Sequence, residues 1–495
     1  MPIPHQTQII KLQLRCPVEY HTMIVQQMQS LVPQVQWGSG TELVVISERK
    51  SNGIYTQVLL TGTGVNWEHH DHDILRAKFT ETDWEHRIKE RIRLGIMRVV
   101  CQMFHIPESP WGILMGVRPT KLVHRYVDKG FTLPEIRQLL REVYGVSEER
   151  QTLVLDVIQK QRGYFHAHPN SPVSIYIGIP FCPTRCGYCS FSAYPMTTHS
   201  HLLPDFFRAL CHEIIEVGEL LKELKIPIES VYLGGGTPTT IHGNQLIYLM
   251  KLINRYFATE GLKEFMVEAG RPETLTEATV QTLSQAGVGR ISINPQSMQD
   301  KTLVRIGREH SALDVKRAFA KVRQAGIPVI NSDIILGLPG EAEEDVEHTL
   351  VQLQQLEPDC LTVHSLAMKR AATWRKEMDQ LDVAQTQGIA MSTLATQYAS
   401  SMGMTPYYLY RQRYILSDLE NIGYAKPRME SIYNIQMMEE RQTIIGLGGG
   451  AITKLVSEGL GVYRLANPKC PATYGQQLEQ FLVTKKSQIQ QHLSV

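Results

Sequence analysis

The chain has 495 residues, 43% of them hydrophobic and 20% charged, so it can bury a large core and is long enough for two or three domains. With 50 Lys and Arg against 49 Asp and Glu, the formal charge is +1, which excludes an electrostatic footprint for nucleic acid or an anionic membrane surface. It has only 8 cysteines, no apolar run of membrane-spanning length, and an opening stretch without signal-peptide regions; a reduced, cytoplasmic setting is expected.

Residues 1–165 read as an α+β module. Runs at 8–14, 42–48 and 54–60 are rich in Ile, Val, Leu and Thr between Gly, Asn and Ser, which predicts strands. From residue 84 to 103, Trp84, Ile88, Ile92, Ile96, Val99 and Met103 recur at steps of three and four, which predicts a helix. Its other faces carry Arg87, Lys89, Arg91, Arg93 and Arg98, expected to be solvated. The stretch 116–121 reads as a turn into a further helix. Between 163 and 172 periodicity is lost to Pro, Asn, Gly and Ser, and a linker is expected there.

From residue 173, short β-rich runs alternate with longer helical patterns. The predicted strands are 174–179, 230–233, 265–268, 290–294, 329–336 and 361–364. Six βα units imply an α/β fold with a parallel sheet. Right-handed repetition curls such a sheet into a partial (β/α)6, TIM-like barrel over residues 166–402, with its chemistry at the carboxyl ends of the strands. After residue 403 Tyr407, Tyr408, Tyr410 and Tyr414 are interleaved with Arg411 and Arg413, and Gly446-Leu-Gly-Gly-Gly450 follows; 403–495 reads as a short C-terminal, substrate-side domain.

The most specific signal is Cys182, Cys186 and Cys189, spaced C-x3-C-x2-C just past the first barrel strand. Three thiolates within eight residues can converge on one iron–sulfur cube and leave one iron open, and an open metal position is where substrate or cofactor binds. A zinc knuckle would need a fourth ligand at similar spacing, and the nearest other cysteine, Cys211, lies in an apolar helical pattern. A disulfide suits neither the scattered remaining cysteines nor the compartment. After the second barrel strand comes Gly234-Gly-Gly-Thr-Pro238, where missing side chains let backbone N–H groups approach a ligand.

Together these motifs resemble those of radical S-adenosylmethionine enzymes, and over residues 173–455 the resemblance narrows to oxygen-independent coproporphyrinogen III oxidases and their relatives. Those include haem chaperones and a longer variant group to which this chain is most similar. The resemblance implies a 4Fe–4S cluster on Cys182, Cys186 and Cys189, with S-adenosylmethionine on the free iron. The family's cofactor-binding positions match Tyr176, Tyr188, Gly235, Gly236, Thr237, Glu268, Gln296, Arg308, Asp333 and Ala367. Carboxylates there would accept hydrogen bonds from ribose or ammonium, the arginine would fork onto a carboxylate, and the small residue would leave room for adenine. Read singly, Glu268 and Asp333 could be helix caps or partners of nearby Arg, and Gln296 could satisfy backbone groups.

By this resemblance, one electron cleaves the cofactor to a deoxyadenosyl radical that takes hydrogen from the β-carbon of a substrate propionate. Loss of carbon dioxide and an electron then leaves a vinyl group. The implied partners are a tetrapyrrole and an electron donor such as flavodoxin or ferredoxin, with neither nucleic acid nor membrane. Lys369, Arg370, Arg411 and Arg413 are candidates for holding propionates. Phe191 stands where authentic oxidases often carry a further cysteine, and the first 165 residues match nothing in them. A haem chaperone using His364 or Tyr410 is therefore the alternative to the enzyme.

Overall fold

The computed structural model describes residues 10–32, 34–38, 40–51, 53–62, 65–74, 78–114, 118–168, 172–191, 193–367, 385–412 and 419–494, which divide between two units, 1–158 and 159–495. In the first unit the order is β1 (Ile10–Arg15), α1 (His21–Leu31), β2 (Val35–Trp37), β3 (Thr41–Lys50), β4 (Gly53–Gly62), β5 (Val65–Ile74), α2 (Glu81–Phe104), α3 (Pro119–Asp128), α4 (Leu133–Glu142) and α5 (Glu148–Arg162). The five strands form one sheet in the order β2-β1-β3-β4-β5. Alternate residues Leu43 and Val45 of β3 and Val58 and Leu60 of β4 face Ile24 and Met28 of α1 and Ile92, Ile96 and Val99 of α2. Thr80 starts α2 with a capping box to Asp83.

The basic face of α2 departs from expectation. Lys89 and Arg93 are exposed, but Arg87 and Arg91 are buried. Arg87 Nε donates to Asp73 Oδ2 at 2.7 Å, and Arg91 Nη2 lies 3.1 Å from Asp73 Oδ1. Arg91 Nη1 also donates to Asp71 Oδ2 at 2.5 Å and to the Glu142 carbonyl at 2.6 Å. Two arginines one helical turn apart thus meet two carboxylates spaced i, i+2 on one strand face. Helical periodicity in one segment could not disclose carboxylates on another.

In the second unit β6 (Val173–Ile179), β7 (Phe181–Cys182), β8 (Tyr194–Pro195), α6 (Met196–His199), α7 (Leu203–Glu223), β9 (Ile228–Gly235), α8 (Gly243–Phe257), β10 (Glu264–Glu268), α9 (Glu277–Gln285), β11 (Arg290–Ser292), α10 (Asp300–Arg305), α11 (Ala312–Gln324), β12 (Val329–Leu336), α12 (Glu343–Leu356), β13 (Cys360–Ser365) and α13 (Gln385–Ser401) come first. They are followed by β14 (Thr405–Tyr410), β15 (Asn421–Ala425), α14 (Ile432–Glu439), β16 (Ile444–Gly448), β17 (Ile452–Val456), β18 (Val462–Ala466), α15 (Pro471–Gln476) and α16 (Leu478–Leu493). Strands β6, β9, β10, β11, β12 and β13 lie side by side and parallel, joined by helical crossovers, as the α/β reading expected. Their near-continuous burial, as in Val173, Ile175, Ile177 and Ile179 of β6, marks a sheet covered on both faces.

The full order is β14-β15-β13-β12-β11-β10-β9-β6-β16-β17-β18, so among the described residues no pairing closes the sheet on itself, and antiparallel strands stand at both edges. Residues 405–466 supply both edges: β15 pairs antiparallel with β13, and β16 pairs parallel with β6. The Gly446 to Gly450 turn packs on the first barrel strand, where a Cβ on Gly449 would come within 2.8 Å of Pro180. A buried network holds that turn from behind. Lys485 Nζ of α16 donates to the Gly446 carbonyl and to Asn467 Oδ1, each at 2.7 Å, and pairs with Glu213 of α7. Glu213 Oε2 in turn accepts from Gly448 N at 2.7 Å and Tyr474 Oη at 2.6 Å. Among the described residues no helix is long and apolar enough to cross a membrane.

Candidate functional site

The two sequence motifs are stitched together at the carboxyl ends of β6 and β9. Gly236 N donates to the Ile179 carbonyl at 2.8 Å and Thr237 N to the Phe181 carbonyl at 2.6 Å. This brings Thr237 Oγ1 within 3.5 Å of Cys182 Sγ. The glycines are required here: Gly235 has φ +109°, and a Cβ on Gly236 would stand 2.4 Å from the Phe181 carbonyl oxygen and 3.0 Å from Cys182 Sγ.

Cys186 is buried, Cys182 and Cys189 partly so. Arg271, three residues past Glu268, reaches Cys186 Sγ with Nη1 at 3.5 Å and Thr184 Oγ1 with Nη2 at 2.8 Å. Its Nε donates to Glu273 Oε1 at 2.7 Å, and Glu273 Oε2 lies 3.2 Å from His310 Nδ1. Burial works against the Glu273 charge, yet the hydrogen bond from His310 and the charge of Arg271 hold its carboxyl down at about 2. A fixed guanidinium therefore faces the thiols. Burial pushes Cys182 up to about 11 and raises Cys189 as well, so metal binding there must displace protons. Among the described residues no three His, Cys, Asp or Glu side chains, the cysteine trio included, are drawn together around a metal position.

Of the expected cofactor residues, Tyr176 lies midway along β6, Glu268 ends β10, Asp333 lies midway along β12 and Arg308 follows α10. Tyr176 of β6 stacks 5.8 Å from Tyr433 and 6.0 Å from Tyr232, and Tyr232 lies 4.3 Å from Tyr433, a three-ring platform. Tyr232 Oη donates to Glu268 Oε2 at 3.4 Å. Burial, seconded by the charge of Asp333, pushes the Glu268 carboxyl up to about 8. Gln296, with φ +66°, bridges to β12: its N–H donates to the Asp333 carbonyl and its carbonyl accepts from Ile335 N, both at 3.0 Å. Arg308 Nη1 is engaged by the Gly270 carbonyl at 2.9 Å and the Asn294 carbonyl at 2.6 Å, and Nη2 by Tyr188 Oη at 3.2 Å. The fork expected to meet a ligand carboxylate is thus occupied by protein, and its Nε is what stays unbonded. Ala367 follows Leu366, which packs with Tyr188, Ile306 and Ile335.

Gln296 Oε1, Asn294 Oδ1 and Arg308 Nε are all buried without a hydrogen-bond partner. Orphaned polar atoms at one strand end, beside an aromatic platform and a carboxylate held near its uncharged form, suit a polar, cationic ligand. The three thiols and the cradle kept clear by Gly236 suit a cluster beside it. The residues present therefore fit a 4Fe–4S centre and S-adenosylmethionine.

Of the candidate propionate ligands, Lys369, Arg370 and Arg413 lie outside the described residues, as does Tyr414, and Arg411 is buried. His364 Nδ1 shares a hydrogen bond with Tyr410 Oη at 3.1 Å, and its Nε2 lies 3.6 Å from Asp333 Oδ2. Sequence reading missed Arg271, Glu273, His310, Asn294, Tyr232 and Tyr433. Arg271 had a usable signal, a cation just past a barrel strand; Tyr433 had none, since it arrives from a helix beyond the barrel.

The family model of the radical SAM superfamily matches residues 176–353. The chain is 37% identical over 438 residues to the oxygen-independent coproporphyrinogen-III oxidase-like protein HemZ of Bacillus subtilis (strain 168), covering 87% of this chain and 86% of that protein. It is 31% identical over 282 residues to the heme chaperone HemW of the same organism, covering 56% of this chain and 70% of HemW. In fold it is similar to coproporphyrinogen III oxidase (HemN) from Escherichia coli, with TM-score 0.52 and 21% identity over 68% of this chain and 82% of that one.

Proposed function

Because the chain belongs to the radical S-adenosylmethionine family of oxygen-independent coproporphyrinogen-III oxidase-like proteins, we propose that it oxidatively decarboxylates coproporphyrinogen III propionates to vinyl groups without oxygen, in the cytoplasm. The observation that carries the reading is the junction of Gly236 and Thr237 with Cys182, which sets the thiols against the cofactor-facing strand ends. When bound, the cluster and S-adenosylmethionine supply hydrogen abstraction from an unactivated carbon.

In this reading Cys182, Cys186 and Cys189 hold the cluster, and the Arg271 guanidinium offsets its negative charge. Glu268 and Asp333 accept hydrogen bonds from the cofactor's ribose or ammonium, and Gln296 Oε1 and Arg308 Nε complete the polar set. Tyr176, stacked on Tyr232 and Tyr433, walls the site against water. Gly235 keeps the loop's turn, Tyr188 is fixed by Arg308, and Ala367 leaves space on the far side. The propionates fall to the cations beyond β13.

The similarity to HemW favours a second reading, delivery of haem to an acceptor. Against it, His364 Nδ1 already shares a hydrogen bond with Tyr410 Oη at 3.1 Å, and its Nε2 lies 3.6 Å from the Asp333 carboxylate. Anaerobic incubation of reconstituted protein with coproporphyrinogen III and S-adenosylmethionine, read by mass spectrometry, decides the matter. The enzyme yields deoxyadenosine, carbon dioxide and vinyl product; stable haem binding with intact propionates would overturn it.

A further inference from the structure

Two sulfurs of the cysteine trio meet side-chain donors, and the donors differ in charge. Cys182 Sγ has the neutral hydroxyl of Thr237 at 3.5 Å, whereas Cys186 Sγ has the guanidinium of Arg271, through Nη1, at the same distance. Arg308 is buried as well, but its Nη1 goes to the Gly270 and Asn294 carbonyls and its Nη2 to Tyr188 Oη. Arg271 thus sets a full positive charge directly against a thiol.

That charge is held in place from both sides. Arg271 Nη2 donates to Thr184 Oγ1 at 2.8 Å and Nη1 also to the Thr184 carbonyl at 3.4 Å, within the loop between Cys182 and Cys186. Behind it, Nε donates to Glu273 Oε1 at 2.7 Å, and Glu273 Oε2 lies 3.2 Å from His310 Nδ1. Glu273 stays ionised, while burial holds the His310 imidazole below its ordinary range, so at neutral pH the imidazole adds no charge. The result is an ordered couple, cation on the sulfur and anion one step behind. Arg271 is only 3% exposed, so water screens it little.

Reduction adds one negative charge to an iron–sulfur centre, and hydrogen bonds and charge at its sulfurs decide how readily it does so. Resting on the functional reading above, we propose that Arg271 and Glu273 are positioning residues that set the cluster's reduction potential, Arg271 raising it through Cys186 and Glu273 pulling it part of the way back. The electron comes from a low-potential one-electron donor; no bond forms or breaks and no proton moves.

The test uses the reconstituted full chain, with iron counted and the potential read by paramagnetic resonance during titration with dithionite and mediators. In Arg271→Gln the equilibrium constant for reduction falls at least tenfold, about 59 mV toward lower potential. Arg271→Lys, which keeps the charge, recovers part of that shift. Glu273→Gln moves the other way, raising the constant at least threefold, because the guanidinium is then uncompensated. An unchanged potential in Arg271→Gln overturns the assignment, as do shifts of the same sign in both glutamine variants, the pattern expected of a loop clamp. Loss of iron from all three variants overturns it too. If Arg271→Gln alone loses iron, Glu273→Gln decides: a rise sustains the assignment and any other result overturns it. A wild-type cluster that shifts as stated in the variants but ignores added S-adenosylmethionine refutes the functional reading and sustains this one; a wild type that takes up no cluster refutes both.

Discussion

Glu268→Gln tests the logic of the cofactor cradle in two directions at once. The native carboxyl sits at about 8 instead of 4.5 because it is buried and faces Asp333. The folded state therefore binds a proton that the unfolded state has released, and stability falls as pH rises between those two values. At 1.36 kcal/mol per pKa unit, and halved for residual screening, the penalty is about 1 kcal/mol at pH 6 and about 2 kcal/mol at pH 9. The neutral glutamine carries no such penalty and can still accept from Tyr232. Cofactor-free Glu268→Gln should thus be more stable than the parent, by a margin that roughly doubles from pH 6 to pH 9 in denaturant titrations. The reconstituted variant should bind S-adenosylmethionine about 10- to 100-fold more weakly, the worth of one charge-assisted hydrogen bond. A margin independent of pH, or a variant that gains stability yet binds the cofactor normally, would refute the assignment of Glu268 to a cationic ligand.

Gly236→Ala should keep the fold but cut iron incorporation, measured by iron analysis and paramagnetic resonance after reconstitution, because its Cβ would press 2.4 Å from the Phe181 carbonyl oxygen and 3.0 Å from Cys182 Sγ. Cys186→Ala should abolish deoxyadenosine formation. Arg87→Met leaves the buried Asp73 carboxylate to Arg91 and should cost the first unit about 3 kcal/mol in denaturant titration, with partial recovery on adding Asp73→Asn. Lys485→Met strands Glu213 at a similar cost, and the melting temperature should drop by several degrees.

The barrel strands were legible because each is an apolar run buried on both faces, a pattern that survives in one dimension; 329–336 and β12 coincide residue for residue. The cysteines and the glycine loop were legible because their chemistry is local. What escaped is what other elements deliver. Arg87 and Arg91 looked solvated because their carboxylates lie on β5, and the Gly446 turn looked like part of a separate domain because a parallel ladder to β6 leaves no trace in spacing. Arg308 shows another side of this: its type pointed to a ligand contact, and no spacing could show that carbonyls from two strand ends take both N–H groups of its Nη1.

The ladder from Ser174 to Ile444 has a consequence for biogenesis. During synthesis the cysteine trio leaves the ribosome long before its flanking strand acquires a neighbour on that side, and the raw edge stays open to promiscuous pairing. Iron loading onto a nascent chain would meet a half-supported loop. A product truncated ahead of residue 444 should therefore accumulate as insoluble, iron-free material.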